Sequence, residues 1–264
     1  MCDWFKKWFN RPEQPFEYGN NCFLHFAIND YPGSVNDLRG CINDQIDLTE
    51  GVKKEIGGVS MKLFKNNEVC ITSFESEIRA AFQAMPSGLL TIGYSGHGTY
   101  DRDLSEKDGY REAFYFHDGK YSDKRLMELM KEKPDGLKIV IIADCCFSEG
   151  MGTRLFGNPS YSQPRFFMDE PMPENFHVIR TFENSPINFL LFHACAEDQT
   201  ATDAMINGRN NGIYTYFMRR TLQKGITYGD WNNKVKQCLP SIQFEQKPDA
   251  IDPLGQLYDK IFEV

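Results

Sequence analysis

The chain has 264 residues, of which 41% are hydrophobic and 25% charged, and its formal net charge is -8 at pH 7. That length suits one α/β domain with a sizeable core, and the composition is that of an ordinary globular protein. The acidic balance argues against general nucleic-acid binding, which needs a basic face, and no apolar run reaches the ~20 residues of a transmembrane segment.

The opening stretch, MCDWFKKWFNRPEQPFEYGNN, is aromatic and mixed in charge, with no apolar signal core and no small-residue cleavage site. Residues 1–20 read as an arm or strap over the surface. A short amphipathic membrane contact through Trp4, Phe5, Trp8 and Phe9 is the other reading of this arm. Eight cysteines without an export signal point to reduced thiols in a cytoplasmic protein rather than to a disulfide framework. A reduced cysteine is then available as a nucleophile.

Four short apolar runs rich in Ile, Val and Phe have the character of central strands covered on both faces: residues 23–28, 89–94, 138–143 and 189–194. Helical patterns lie between and after them, over residues 34–56, 73–85, 122–131, 213–222 and 230–239, the second following a capping-box-like start at Thr72 and Glu75. The alternation predicts an α/β domain on a doubly wound, mostly parallel sheet with helices on both faces. Residues 149–186 hold Gly, Pro, Asn and Ser with scattered aromatics and no period, and read as a long functional or cleavable loop. That loop divides one domain, residues 21–264, into a larger part (21–148) and a smaller part (187–264).

Ligands of such sheets bind beyond the carboxyl ends of the strands. Ser95-Gly96-His97-Gly98-Thr99 follows the second predicted strand, and Asp144-Cys145-Cys146-Phe147-Ser148 follows the third. Cys195-Ala196-Glu197-Asp198-Gln199 follows the fourth, and Gly40-Cys41-Ile42-Asn43-Asp44 lies in the turn and helix after the first. Titratable residues thus gather at one edge.

His97 can exchange protons near neutral pH, and its flanking glycines let backbone approach a ligand; alone, it reads equally as a turn histidine. Cys146 can attack as a thiolate once a histidine takes its proton; alone, it reads as a small buried hydrophobe. Cys145 competes with it. Neighbours on a strand face opposite sides, so only one of the two meets His97, and spacing does not choose between them. His25 and His193 fall inside strands. A metal site from Cys145, Cys146, His193 and Cys195 lacks the usual ligand spacing, and a redox role for the adjacent cysteines lacks a C-x-x-C motif.

These segments resemble the metacaspases and their bacterial relatives among the caspase-like peptidases. Their Y-S-G-H-G motif is matched by Tyr94-Ser95-Gly96-His97-Gly98, and their D-S-C-H-S-G motif, with changes, by Asp144-Cys145-Cys146-Phe147-Ser148. Glu149 intrudes before Gly150. An early G-C-x-N-D segment matches residues 40–44, and a late D-D-Q-x-(A/S) segment is similar to Glu197-Asp198-Gln199-Thr200-Ala201. The resemblance covers roughly residues 21 to 225, and the histidine stands roughly 50 residues before the cysteine, as caspases place it.

The resemblance implies a cysteine endopeptidase with His97 and Cys146 as its catalytic pair and an oxyanion hole from the N–H groups of Gly98 and Cys146. It also implies a pocket for Arg or Lys from Asp44, Ser95, Asp144 and Asp198, so the expected partner is a peptide or protein with Arg or Lys before the cut. Grouped carboxylates repel one another, and a bound guanidinium relieves that repulsion. Many relatives need calcium; Glu112 and Asp123 match two ligands, but Lys124 and Thr153 break the set, so no cofactor is expected and residues 101–112 read as a solvated loop. The rival reading is an inactive caspase-like module that binds a partner's basic segment, favoured by Phe147 and Glu149 beside the nucleophile. A monomer is expected, and any self-cleavage within 149–186 is expected after Arg154, Arg165 or Arg180.

Overall fold

A computed structural model of the chain describes residues 15–33, 35–103, 110–146, 161–167, 187–195 and 200–264. At its centre lie three parallel strands, β1 (Asn21–Ala27), β3 (Ser87–Ser95) and β7 (Gly136–Asp144). β2 (Ser60–Lys65) extends this sheet parallel beyond β1; β9 (Leu190–His193) joins parallel to β7, and β12 (Asp249–Ile251) closes that edge antiparallel to β9. One sheet therefore runs through both parts of the chain.

Alternation along each strand assigns residues to two cores. On β7, Ile139, Ile141 and Ala143 face one side and Val140 and Ile142 the other. The first side is covered by α2 (Ile71–Ala84) and α3 (Asp123–Met130), through Phe74, Ile78, Leu126 and Leu129. The second is covered by α1 (Cys41–Glu55), α4 (Ile213–Thr221) and α5 (Tyr228–Cys238), through Leu48, Val52, Met218, Trp231 and Val235. The same alternation carries past the strand end. Cys145 packs into the first core and Cys146 into the second.

Several boundaries differ from the sequence reading. α1 begins at Cys41 rather than near residue 34, because other partners take the backbone N–H groups before it. Asp203 Oδ2 accepts from Arg39 and Gly40 at 2.7 and 3.0 Å, and Asn29 Oδ1 accepts from Cys41 at 2.9 Å. The cap of α2 lies two residues earlier than expected, with Cys70 N donating to Ser73 Oγ.

Residues 101–112 are not simply a solvated loop. Their described ends belong to β4 (Gly98–Arg102) and β5 (Tyr110–Phe116), which form a small antiparallel sheet with β6 (Gly119–Ser122), and Glu112 is buried. A second small sheet joins β8 (Ser162–Pro164), β10 (Thr202–Ile206) and β11 (Arg209–Gly212), so the stretch 149–186 contains a strand. Asn207 and Gly208 both have positive φ and form the β10–β11 turn, as an Asn-Gly pair favours.

Of the expected N-terminal arm, residues 1–14 lie outside the described residues. Phe16 and Tyr18 pack on the first core, and Tyr18 Oη donates to Glu77 Oε2 at 3.0 Å. Among the described residues no helix is long and apolar enough to cross a membrane.

Candidate active site

β3 ends at Ser95, and the chain then turns tightly through Gly96 to His97. A side chain at Gly96 would lie 2.5 Å from the Tyr94 hydroxyl and 2.7 Å from that of Tyr31, so only glycine fits. Those hydroxyls hold the turn. Tyr31 Oη accepts from His97 N at 2.8 Å, and Tyr94 Oη donates to His97 O at 2.8 Å.

The His97 ring is fixed by Nε2, 2.7 Å from the carbonyl oxygen of Asn36. A carbonyl can only accept, so Nε2 carries the hydrogen and Nδ1 presents a lone pair. Nδ1 is buried and has no hydrogen-bond partner among the described residues. Burial lowers the His97 pKa to about 4, although the Asn36 and Arg165 backbones oppose the shift, so the ring is neutral at pH 7.

Cys146 stands just past β7, fully buried. Its sulfur accepts from Ala201 N at 2.7 Å and donates to Ala201 O at 3.3 Å. Burial pushes its thiol well above the usual cysteine range; the neighbouring Cys195 thiol adds to the shift, and the Ala201 backbone opposes it. Cys146 is therefore a neutral thiol turned toward Ala201, and no hydrogen bond joins it to His97 among the described residues.

Beside this pair lies a feature that the motifs do not disclose. Arg165 follows β8, its side chain has no solvent exposure, and its guanidinium sits among three carboxylates. Nη2 is 2.6 Å from Asp44 Oδ2 and 3.5 Å from Asp203 Oδ1, and Nη1 is 3.3 Å from Asp144 Oδ2 and 3.2 Å from the Asp144 carbonyl. Burial opposes the Arg165 charge, but Asp144, Asp44 and Asp203 together outweigh it and keep the guanidinium protonated. Burial also pushes the Asp44 carboxyl well above the usual range, against the pull of Arg165.

Each carboxylate is also held by backbone. Gly212 N donates to Asp44 at 2.9 Å, Thr215 N to Asp144 at 2.9 Å, and Arg39 N to Asp203 at 2.7 Å. A side chain at Gly212 would lie 2.3 Å from Asp144 Oδ2 and 2.5 Å from Arg165 Nη1, so glycine there leaves room for the cation.

The Arg165 main chain is held as closely as its side chain. Its carbonyl oxygen accepts from Gly98 N at 3.0 Å and from Cys146 N at 3.2 Å, and its N–H donates to Ala201 O at 2.9 Å. The two N–H groups are those named from the family motif. A Cβ at Gly98 would lie 1.6 Å from the Cys146 carbonyl oxygen, so this cradle requires glycine at that position.

The structure thus brings together His97, Gly98, Cys146, Asp44 and Asp144. Ser95 lies at the same strand end, but its hydroxyl pairs with His25 Nε2 at 3.3 Å and not with the guanidinium. Asp198, Phe147, Glu149 and Thr153 lie outside the described residues. Asp203, which sequence reasoning missed, supplies the third carboxylate. Its signal was the Asn207-Gly208 turn, which pairs Asp203 with Gly212 across a hairpin. Arg165 carried no local signal.

Among the described residues no group of three or more His, Cys, Asp or Glu side chains is placed to hold a metal ion. Asp123 is paired instead with the guanidinium of Arg111, which also meets Asp103. Calcium needs six to eight oxygens, and acids already facing a guanidinium do not fit that demand.

The sequence profile of the caspase domain matches residues 23–253. Metacaspase-1 of Schizosaccharomyces pombe is 26% identical over 288 residues, covering 87% of this chain and 66% of that protein, so the chain spans slightly less than two thirds of that relative. A solved Geobacter sulfurreducens protein superposes with a TM-score of 0.67 at 19% identity, covering 92% of this chain and 99% of that one. Caspase-1 of Spodoptera frugiperda superposes with a TM-score of 0.58 at 14% identity, covering 92% and 91%. At these identities the two structures speak for the fold, which is the α/β caspase-like fold that the resemblance implied.

Proposed function

The chain belongs to the caspase-domain family of cysteine peptidases, and from that membership we propose that it is an endopeptidase cutting after Arg or Lys with His97 and Cys146. One observation carries the specificity. An arginine fills a buried three-carboxylate pocket while its own carbonyl oxygen rests on the N–H groups of Gly98 and Cys146.

The reaction follows from the groups present. The Cys146 sulfur leaves Ala201 and passes its proton to Nδ1 of His97, which Asn36 holds in the right tautomer. The thiolate adds to the carbonyl carbon, and the developing oxyanion gains the two N–H groups already aimed at it. His97 returns the proton to the leaving amine, and water releases the acyl group. The resting pair is neutral on both sides, so the ion pair forms only during the reaction. No step uses calcium, and activity is expected to survive a chelator.

Arginine should be preferred to lysine. Asp44 and Asp144 meet different guanidinium nitrogens, and a single ammonium cannot reproduce both contacts. All these groups come from one chain with reduced thiols, which fits a monomer working in the cytoplasm. The test is steady-state cleavage of an arginyl peptide. Cys146→Ala and His97→Ala should abolish it, and Cys145→Ser, altered on the opposite face, should keep most of it. Undiminished cleavage by Cys146→Ala would sink the assignment.

A further inference from the structure

We infer that the Arg111 guanidinium is a built-in cation that takes the place of a metal ion, clamping the β4–β5 hairpin to α3 and so holding His97 and Gly98 in working position. The inference rests on the peptidase reading above and adds to it a positioning residue outside the motifs and a physical reason for independence from calcium.

The hairpin carries half of the site directly. β4 begins at Gly98, which pairs with Phe114 of β5. Tyr115 N donates to His97 O at 3.0 Å, and the Tyr115 carbonyl accepts from the Tyr94 hydroxyl at 2.9 Å. The Tyr31 ring, whose hydroxyl accepts from His97 N, lies 4.9 Å from the His97 ring and 5.7 Å from that of Tyr115. A shift of β5 therefore moves the His97 main chain and the Gly98 N–H together. The carboxylates assigned to the substrate's basic side chain, Asp44, Asp144 and Asp203, stand on α1, β7 and β10, outside this hairpin.

The far end of the hairpin is pinned by charge. Arg111 stands on β5 opposite Asp101 of β4, on the same face of the strand as Tyr115. Its Nε pairs with Asp103, just past β4, and its Nη1 lies 3.4 Å from Asp123 Oδ1 at the start of α3. The Arg111 side chain is 11% exposed and that of Asp123 only 1%. One planar group thus joins both strands and a helix of the main core, using separate nitrogens. So buried an ion pair costs desolvation, and the use that repays it is registry between elements. Asp123 is the residue matched by the resemblance to a calcium ligand, yet a cation already faces it. A guanidinium is charged at any working pH and is tethered to the chain, so its occupancy does not follow the concentration of a free ion. Loosening the clamp displaces the groups that do the chemistry and leaves the pocket for the basic side chain in place, so kcat falls more than KM rises.

Steady-state hydrolysis of an arginyl peptide by full-length wild type, Arg111→Ala and Arg111→Lys tests this, with chelator, calcium or guanidinium ion added in turn. Wild-type kcat should be the same with chelator and with calcium. Arg111→Ala should lose about ten- to a hundredfold in kcat, as displaced catalytic groups do, with KM held within about twofold. Guanidinium ion at about 10 mM should raise kcat of Arg111→Ala about threefold or more by pairing with the vacated carboxylates, and should leave wild type unchanged. Arg111→Lys, which keeps the charge but not the fork, should fall between the two. If the alanine variant does not fold, Arg111→Lys and Asp103→Asn carry the test, with kcat lowered and KM kept. A folded Arg111→Ala with wild-type kcat, a loss carried by KM, a kcat that guanidinium ion does not raise, or a wild-type kcat that follows calcium would each overturn the inference. A wild type that cuts peptides but not after Arg or Lys would end the basic-residue reading alone, since the same comparison on the peptide it does cut still decides the role of Arg111. A wild type that cuts no peptide overturns both.

Discussion

Two arginine clusters in this molecule use the same groups to different ends. On the surface, Arg79 and Arg125 share Glu75, and Arg79 also forks onto Glu132. Arg79, Arg125 and Glu132 side chains are 43%, 49% and 46% exposed. Water and salt screen such pairs, and each contributes about 0.2–1 kcal/mol. All four side chains belong to or follow α2 and α3, so cation and anion are both fixed parts of the scaffold.

The Arg165 cluster is divided differently. Its acids stand on α1, at the end of β7 and on β10, each tied to backbone N–H groups, and its cation follows the three-residue strand β8. On the proposed reading the acids are scaffold and the cation stands where a substrate's arginine would bind. Carboxylates buried by the scaffold and left to a guest make a binding site, whereas paired charges at a surface make a brace.

The sharpest way to break this contrast is to remove the carboxylate closest to the guest. Asp44→Asn should lower kcat/KM for an arginyl peptide by about 2–5 kcal/mol, roughly thirtyfold to a few thousandfold, since the loss leaves a buried charge short of its partner. Asp203→Asn should cost less, because its oxygen stands 3.5 Å from Nη2. Equal, small losses at both positions would show that the pocket does not read charge.

A pH series sharpens the same point. Burial raises the Asp44 pKa, so on acidification this carboxyl takes up a proton above the usual carboxylate range and stops attracting a guanidinium. Affinity for arginine is therefore complete above that raised pKa and is lost as pH falls through it. His97, with a pKa of about 4, remains a neutral acceptor over that interval. KM for an arginyl peptide should thus rise before kcat falls, and steady-state kinetics against pH would show the opposite order if His97 titrated first.

The smallest effect belongs to the surface brace. Arg79→Ala should change unfolding free energy by about 1 kcal/mol or less per pair lost, and should leave kcat/KM unaltered. Denaturant unfolding and the same peptide assay measure both.

The central strands were legible because buried parallel strands are continuous apolar runs. The catalytic candidates were legible because strand ends collect them, and the alternation that separates Cys145 from Cys146 continues beyond β7. The third carboxylate was harder to see. Asp203 lies on a short hairpin strand whose place beside Gly40 depends on tertiary packing, and the late family segment drew attention to Asp198 instead. Arg165 was the least visible, since nothing near it in sequence resembles a core and its burial exists only through acids far along the chain. The helix expected from residue 34 failed for a related reason, with Asp203 capturing the N–H groups of Arg39 and Gly40 and Asn29 that of Cys41, where α1 begins.

The most direct test of the central claim is cleavage of a peptide library by wild type and Cys146→Ala, with the residue before each cut identified by mass spectrometry. The account predicts Arg first and Lys second before the cut in wild type, and no cuts in Cys146→Ala. Cuts after Asp or Leu, or the same cuts made by Cys146→Ala, would contradict it.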